Sequence, residues 1–182
     1  MTGWKSTDQS YGKLSICMHW LMLLLLVGVY ACIELRVLYP KGSDPREALK
    51  AWHFMLGLSV FALVWIRIAT RLMEPTPSIE PAPSALENLL AKAMHGVLYL
   101  MMIGLPLVGW LSLSAAGKPV LFFGLPLPAL TAENKALAKA LKEFHEVAGK
   151  AGYILIGLHA AAALFHHYIK RDNTLIRMLP HK

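Results

Sequence analysis

The sequence predicts an all-α membrane protein, a four-transmembrane-helix bundle. Hydrophobic residues make up 56% of the chain and charged residues only 16%, whereas soluble domains typically carry ~45–50% and ~25%. The apolar residues are concentrated in four blocks, each close to the ~17–25 residues that cross a bilayer as a helix. We therefore expect one integral membrane domain over residues 1–182, with spans at about residues 14–35, 51–71, 93–116 and 144–170.

The first two spans are predicted from uninterrupted apolar runs. The first has no charged residue between Leu14 and Ile33, and it is too long for the core of a signal peptide. Its two cysteines, Cys17 and Cys32, lie ~22 Å apart along a helix, which is too far for a disulfide. The second span ends at Arg67 and Arg71, whose long side chains we expect to reach the lipid headgroups.

Proline-rich and polar segments predict where the connections lie and how the last two spans are built. Residues 74–84 (EPTPSIEPAPS) are rich in proline and read as an extended linker between two helix pairs. The third span contains Pro106, which neighbouring helices can accommodate within a membrane. Residues 118–130 are predicted as an apolar loop at the membrane surface, and residues 132–144 as a helix that continues into the fourth span.

The positions of the basic residues suggest how the protein is oriented in the membrane. An even number of spans puts both termini on one side, and the basic residues next to the span ends on that side favour cytoplasmic termini. The loops on the opposite side are also basic. Either an anionic partner or ordinary contact with lipid headgroups explains these charges, and we do not expect nucleic acid as a partner. These loop cations are Arg36, Lys41, Arg46, Lys50, Lys118, Lys135, Lys139 and Lys142.

Histidines on the fourth span are the strongest functional signal. His145, His159 and His166 lie seven or fourteen residues apart, so they share one stripe of a helix. His145 and His159 are then ~21 Å apart along the helix axis. Because imidazole is a strong ligand for iron, copper and zinc, this spacing suggests two metal centres at different depths.

Two other spans supply partners at matching depths. His53 near the outer end of the second span pairs with His145, and His19 near the inner end of the first pairs with His159. His166 would match the depth of His19 slightly better, but it lies ~31 Å from His145, the whole thickness of the hydrocarbon layer. Pairs of histidines without a nearby cysteine suit haem better than zinc, which usually takes three or four protein ligands.

Glycines support the haem interpretation but leave an alternative open. Gly57 and Gly149 follow His53 and His145 by four residues. A missing side chain there leaves room for a porphyrin face, and it equally allows close packing of membrane helices. The sequence contains no C-x-x-C-H attachment motif, so any haem is expected to be non-covalent.

These residues lie in segments that resemble the bacterial cytochrome b561 family, which is related to hydrogenase b-type cytochrome subunits. The segments are SICMHWLMLLLL (15–26), the start of the second span at His53, GLPLVGW (104–110), FHE (144–146), GYILIGLHAAAALFHHY (152–168) and KRDNTLIRMLP (170–180). By motif position, the resemblance implies that His19, His53, His145 and His159 bind two haem b groups. It also implies quinone chemistry in the bacterial inner membrane.

The resemblance is greatest to members described as superoxide oxidases, which pass electrons from periplasmic superoxide to ubiquinone. It implies a quinone-linked oxidoreductase without a separate catalytic side chain. Candidate quinone or substrate residues are His95, His166, His167, Lys170 and Arg177. One alternative is a membrane-anchor cytochrome subunit that passes electrons from a partner dehydrogenase to quinone. Another, from a different class, is a non-redox membrane scaffold or metal transporter.

Overall fold

The computed structural model describes residues 3–179 and has four long helices. They are α1 (Lys13–Leu35), α2 (Asp44–Met73), α3 (Ala85–Ala115) and α4 (Lys135–Phe165). Each is long and apolar enough to cross a membrane. The predicted fold class, an all-α membrane protein with four spanning helices, is confirmed.

α2, α3 and α4 begin 7 to 9 residues before the predicted spans, because polar residues build their first turns, while α4 ends at Phe165, five residues before its predicted end. α2 begins at Asp44, with Pro45 in its first turn and Glu47 close behind, and acidic groups there favour the positive end of the helix dipole. α3 begins with a capping box in which Ser84 and Glu87 bond each other's backbone N–H groups at 3.3 and 2.8 Å. α4 is capped by Asn134 Oδ1, which accepts a 3.0 Å bond from Leu137 N–H.

The connection between α3 and α4 contains a hairpin where the sequence predicted a loop. β1 (Val120–Phe122) pairs antiparallel with β2 (Leu125–Leu127). The two turn residues, Phe123 and Gly124, have positive φ angles of 47° and 86°, as a tight two-residue hairpin turn requires. Phe123 remains 56% exposed and its ring contacts Trp52 edge-on at 6.4 Å.

The chain folds into two compact units, each containing a segment of all four helices. Within the described residues, unit 1 comprises 3–21, 64–100 and 151–179, and unit 2 comprises 22–63 and 101–150. The core of unit 1 includes the buried side chains of Ile16, Met18 and Val64, and that of unit 2 includes those of Met22, Leu58 and Val60.

In unit 1, three non-helical segments contact one another. The N-terminal segment bonds the proline-rich linker through Ser6, whose Oγ and N–H both donate to Glu74. The segment after α4 passes through a π-helical turn (His166–Lys170) and a 3-10 turn (Ile176–Met178). It is tied to the linker by a bond from Arg177 to the carbonyl of Pro77 and one from Glu80 N–H to Asn173.

Candidate functional site

One histidine pair lies in unit 1. His19 of α1 and His159 of α4 have ring centres 6.3 Å apart. Both side chains are half-buried. Metal–imidazole bonds are ~2.0–2.1 Å long, so two imidazoles on opposite faces of one metal have ring centres about 6 Å apart. The unit 1 pair therefore has the spacing that a shared iron ion requires.

Arg67 of α2 contacts this pair. Its Nη2 atom lies 2.9 Å from His19 Nδ1. The other terminal nitrogen, Nη1, is buried and has no hydrogen-bond partner within the described residues. The sequence placed Arg67 among the side chains that reach lipid headgroups, whereas the structure turns it toward His19. A signal was present, because Arg67 follows His53 by fourteen residues, the spacing that separates His145 from His159 on α4.

His95 of α3 is a third imidazole in unit 1. Its ring centre lies 5.4 Å from that of His159. His95 also lines a cavity of about 310 Å³, together with three cations that the sequence did not connect with it. They are Arg67, Arg71 and Lys92. Of the predicted quinone or substrate residues, His95 is the one beside a histidine pair.

The second pair lies in unit 2. His53 of α2 and His145 of α4 have ring centres 6.2 Å apart. His53 Nδ1 lies 2.9 Å from the carbonyl oxygen of Val29. Because a carbonyl only accepts, this bond fixes the ring proton on Nδ1 and leaves the Nε2 lone pair available to a metal. The unit 2 pair thus has both the spacing and, at His53, the proton arrangement of a ligand.

Glycines shape the space around the unit 2 pair. A Cβ atom added to Gly109 of α3 would lie 3.3 Å from His145 Cε1, so α3 approaches this imidazole closely. A Cβ added to Gly57 or Gly149 would meet nothing within 4 Å among the described residues. The space that a side chain would fill is therefore open at these two glycines, and it suits a flat macrocycle. Unit 2 therefore fits a haem group in the spacing of its histidine pair and in the open space beside Gly57 and Gly149.

The other predicted quinone or substrate residues make structural contacts in unit 1. His166 Nδ1 lies 2.5 Å from an oxygen of Asp172, and Lys170 forms a 2.6 Å ion pair with Glu87. Arg177 is 7% exposed and donates to the Pro77 carbonyl. His167 stacks edge-on against Tyr168. His166 Nδ1, Lys170 Nζ and Arg177 Nη1 thus hold the segment that follows α4, while Arg177 Nε is buried without a hydrogen-bond partner among the described residues.

Hydrogen bonds and burial also shift the pKa values of ionisable groups outside the spans. Hydrogen bonds from Ser6 lower the pKa of Glu74. Burial alone would raise the pKa of Asp172, but hydrogen bonds from His166 and Thr174 outweigh it and lower this pKa. Burial lowers the pKa of Arg177. The carboxylates of Glu74, after α2, and Asp172, after α4, are therefore held in their ionised form.

Comparison with known proteins identifies the family. The model of the prokaryotic cytochrome b561 family matches residues 10–181. The chain belongs to the prokaryotic cytochrome b561 family. As a member, it is a multi-pass bacterial membrane protein that serves transmembrane electron transfer and carries b-type haem.

Full-length relatives have similar sequences. The cytochrome b561 described here is 41% identical over 174 residues to the probable superoxide oxidase CybB of Yersinia pestis, which covers 96% of this chain and 98% of that protein. It is 37% identical to cytochrome b561 homolog 1 of Escherichia coli K12, over 94% of this chain and 98% of that protein. It is 30% identical to cytochrome b561 homolog 2 of the same strain, over 96% and 93%.

Proposed function

We propose that this cytochrome b561 is a superoxide:ubiquinone oxidoreductase with two non-covalent haem b groups. The observation that carries the proposal is the presence of two histidine pairs with ring centres 6.3 and 6.2 Å apart, the spacing of two imidazoles on one metal. His19 and His159 hold one haem, and His53 and His145 hold the other. The similarity to a probable superoxide oxidase supports the choice of donor.

The haem groups supply reversible one-electron storage. If both imidazoles of a pair bound the same iron, that site would suit electron transfer rather than binding of oxygen. The overall reaction is balanced when two superoxide ions are oxidised to two O₂ while one ubiquinone takes up two electrons and two protons to become ubiquinol. Electrons enter at the unit 2 pair and leave at the unit 1 pair. Both termini face the cytoplasm.

Exposed cations in unit 2 support an anionic donor. Lys41, Lys118 and Lys135 are exposed, and the ion pairs found within residues 3–179 do not involve them. Arg46 instead bonds the carbonyls of Arg36 and Tyr39 at 3.1 and 2.8 Å. Uncompensated positive charge raises the local concentration of a small anion and its rate of encounter.

His95 supports an acceptor site in unit 1. Its ring lies 5.4 Å from that of His159, so a quinone head group that contacts His95 would be close to the haem held by the unit 1 pair. An imidazole can also donate a proton to a reduced quinone oxygen. We therefore retain His95 as a quinone-site residue and assign His166, Lys170 and Arg177 to the structural contacts described above.

The proposal is tested on protein purified without a partner. Pyridine haemochrome analysis should give two b-type haems per chain, and superoxide should reduce added ubiquinone without any other subunit. A single haem or a haem-free, zinc-loaded protein would contradict the two-haem assignment. Two haems with no superoxide-driven reduction would instead favour a membrane-anchor subunit that receives its electrons from a dehydrogenase.

A further inference from the structure

The unit 1 cavity is positively charged and lined without a carboxylate. Arg67, Arg71 and Lys92 line it, as do Tyr11 and Tyr99. Ion pairs within the described residues involve none of these three cations. The ionised Glu74 is near, since it accepts bonds from Ser6 and from the cavity residue Ser15, the latter at 3.3 Å, but the described ion pairs do not join it to these cations. The three cations of the lining are therefore left without a paired carboxylate.

Because Arg67 is half-buried, the absence of a paired carboxylate is energetically costly. Its Nη1 atom is buried and finds no acceptor among residues 3–179. Leaving a buried polar group unpaired lowers stability, and the cost is greater for a charged group. Arg71 is better satisfied, because its Nη1 donates a 2.8 Å bond to the hydroxyl of Tyr11. An anionic oxygen placed against Arg67 would give Nη1 the acceptor that it lacks.

The bond between Arg67 and His19 points to the same requirement. A guanidinium only donates, so His19 Nδ1 accepts in this contact and the ring proton is on Nε2. A neutral histidine that binds a metal through Nε2 carries its proton on Nδ1 instead. His19 can therefore either accept the bond from Arg67 at Nδ1 or bind iron through Nε2 with its proton on Nδ1, but it cannot do both at once. A carboxylate offers Arg67 a stronger, charge-assisted acceptor than an imidazole nitrogen does.

We infer that the cavity binds the propionate carboxylates of the haem held by His19 and His159, with Arg67 as their main partner. The inference rests on the proposed haem function. Two carboxylates match the cations of the lining, which a neutral quinone head group could not compensate, and they leave the imidazole of His95 to the quinone. Pairing with a propionate also releases His19 Nδ1 to carry its proton. A lipid phosphate has the same anionic chemistry, and the experiment below separates the two sources.

The test compares haem b with its dimethyl ester, in which both propionates are neutral. Both are titrated into haem-free protein carrying His53→Ala and His145→Ala, so that only the unit 1 pair binds. Arg67→Gln should weaken binding of haem b by about tenfold or more, since hydrogen bonds to charged groups contribute about 1.5–3 kcal/mol. It should leave binding of the ester nearly unchanged. Arg67→Lys, which keeps the charge, should restore much of the loss.

Lys13→Gln is the matched control, because Lys13 is an exposed cation of unit 1 that does not line the cavity. It should bind both haem forms like the parent. Equal weakening of haem b and ester by Arg67→Gln would overturn the inference. If that weakening also disappears in a phosphate-free maltoside detergent without added lipid, the anion is a lipid phosphate. Failure of the parent itself to bind haem b would refute the histidine assignment rather than the role of Arg67.

Discussion

The indole Nε1 of Trp20 donates a 2.7 Å hydrogen bond to the backbone carbonyl of Met178. This bond joins the residue next to His19 to the segment that follows α4, across 158 positions of sequence. It belongs to the set of contacts in unit 1 that includes Arg177 with Pro77 and Asn173 with Glu80. The surroundings of His19 are thus built partly by residues from the far end of the described chain.

Trp20→Phe should lower stability. It removes the N–H donor while keeping an aromatic ring, and the lost hydrogen bond should reduce the free energy of unfolding by about 0.5–1.5 kcal/mol. Thermal unfolding in detergent measures the change. Trp4→Phe is the control, because Trp4 is 72% exposed and should tolerate the change. An unaltered midpoint for Trp20→Phe would show that the bond to Met178 adds nothing to stability.

The two histidine pairs should lose haem independently. His53→Ala or His145→Ala should remove one b-type haem, and His19→Ala or His159→Ala the other, each leaving about half of the absorbance in a reduced-minus-oxidised spectrum. His167→Ala serves as a control that retains both haems.

Two further variants test the choice of ligands in unit 1. His166→Ala should retain both haems, because His166 is bonded to Asp172. His95→Ala should also retain both, since its 5.4 Å spacing from His159 is shorter than the 6.3 Å of the proposed pair. Loss of a haem in either variant, with retention in His19→Ala, would mean that the wrong partner has been assigned to His159.

Asp172 should make stability depend on pH in the acidic range. Its pKa is lowered in the folded protein by hydrogen bonds from His166 and Thr174, which outweigh burial. The stabilising contribution is therefore complete above the unfolded value of about 3.9 and is lost as the pH falls through the lower folded value. Asp172→Asn should lower the melting temperature at pH 7 and flatten its decrease below about pH 4. A parallel pH profile for the variant and the parent would argue against this role.

Superoxide-driven reduction should depend on exposed charge in unit 2. Lys41→Glu together with Lys118→Glu should slow haem reduction by about two- to tenfold, because they reverse the field that attracts a small anion. The parent rate should fall with added salt, since exposed charges are screened over ~8–10 Å. Stopped-flow spectroscopy measures both effects, with Lys13→Glu as the control in unit 1. A rate indifferent to salt and to both lysines would favour a quinol or a docked protein as donor.

Much of the fold could be predicted because membrane helices are defined by local composition. The apolar runs identified all four helices, and the fourteen-residue spacing of His145 and His159 indicated which faces of α4 to consider. The β1–β2 hairpin was missed because three-residue strands in an apolar, proline-containing segment lack an alternating pattern. Its only local signal was glycine at position 124, which has a positive φ angle.

Contacts between distant segments could not be predicted in the same way. Hydropathy treats Arg67 as a cation at the end of a span, so its bond to His19 was not anticipated. His95 had no evident partner in the sequence, yet its ring lies beside His159. The engagement of His166 with Asp172 and of Arg177 with Pro77 depends on how the last segment folds back onto the linker. Such tertiary contacts leave no periodic signal in a single sequence.

The division of the chain into two units has a consequence for biosynthesis. Every residue of unit 2 precedes Ala151, whereas unit 1 takes its last segment from the residues that follow. Because the chain is made from its N-terminus, His53 and His145 are both synthesised before His159. A ribosome adds ~5–20 residues per second, which sets the delay between them. The contacts of Trp20, Pro77 and Glu80 with residues 173–178 form later still. The first helix must therefore wait in the membrane, with His19 and Trp20 incompletely surrounded, until the segment after α4 has been made.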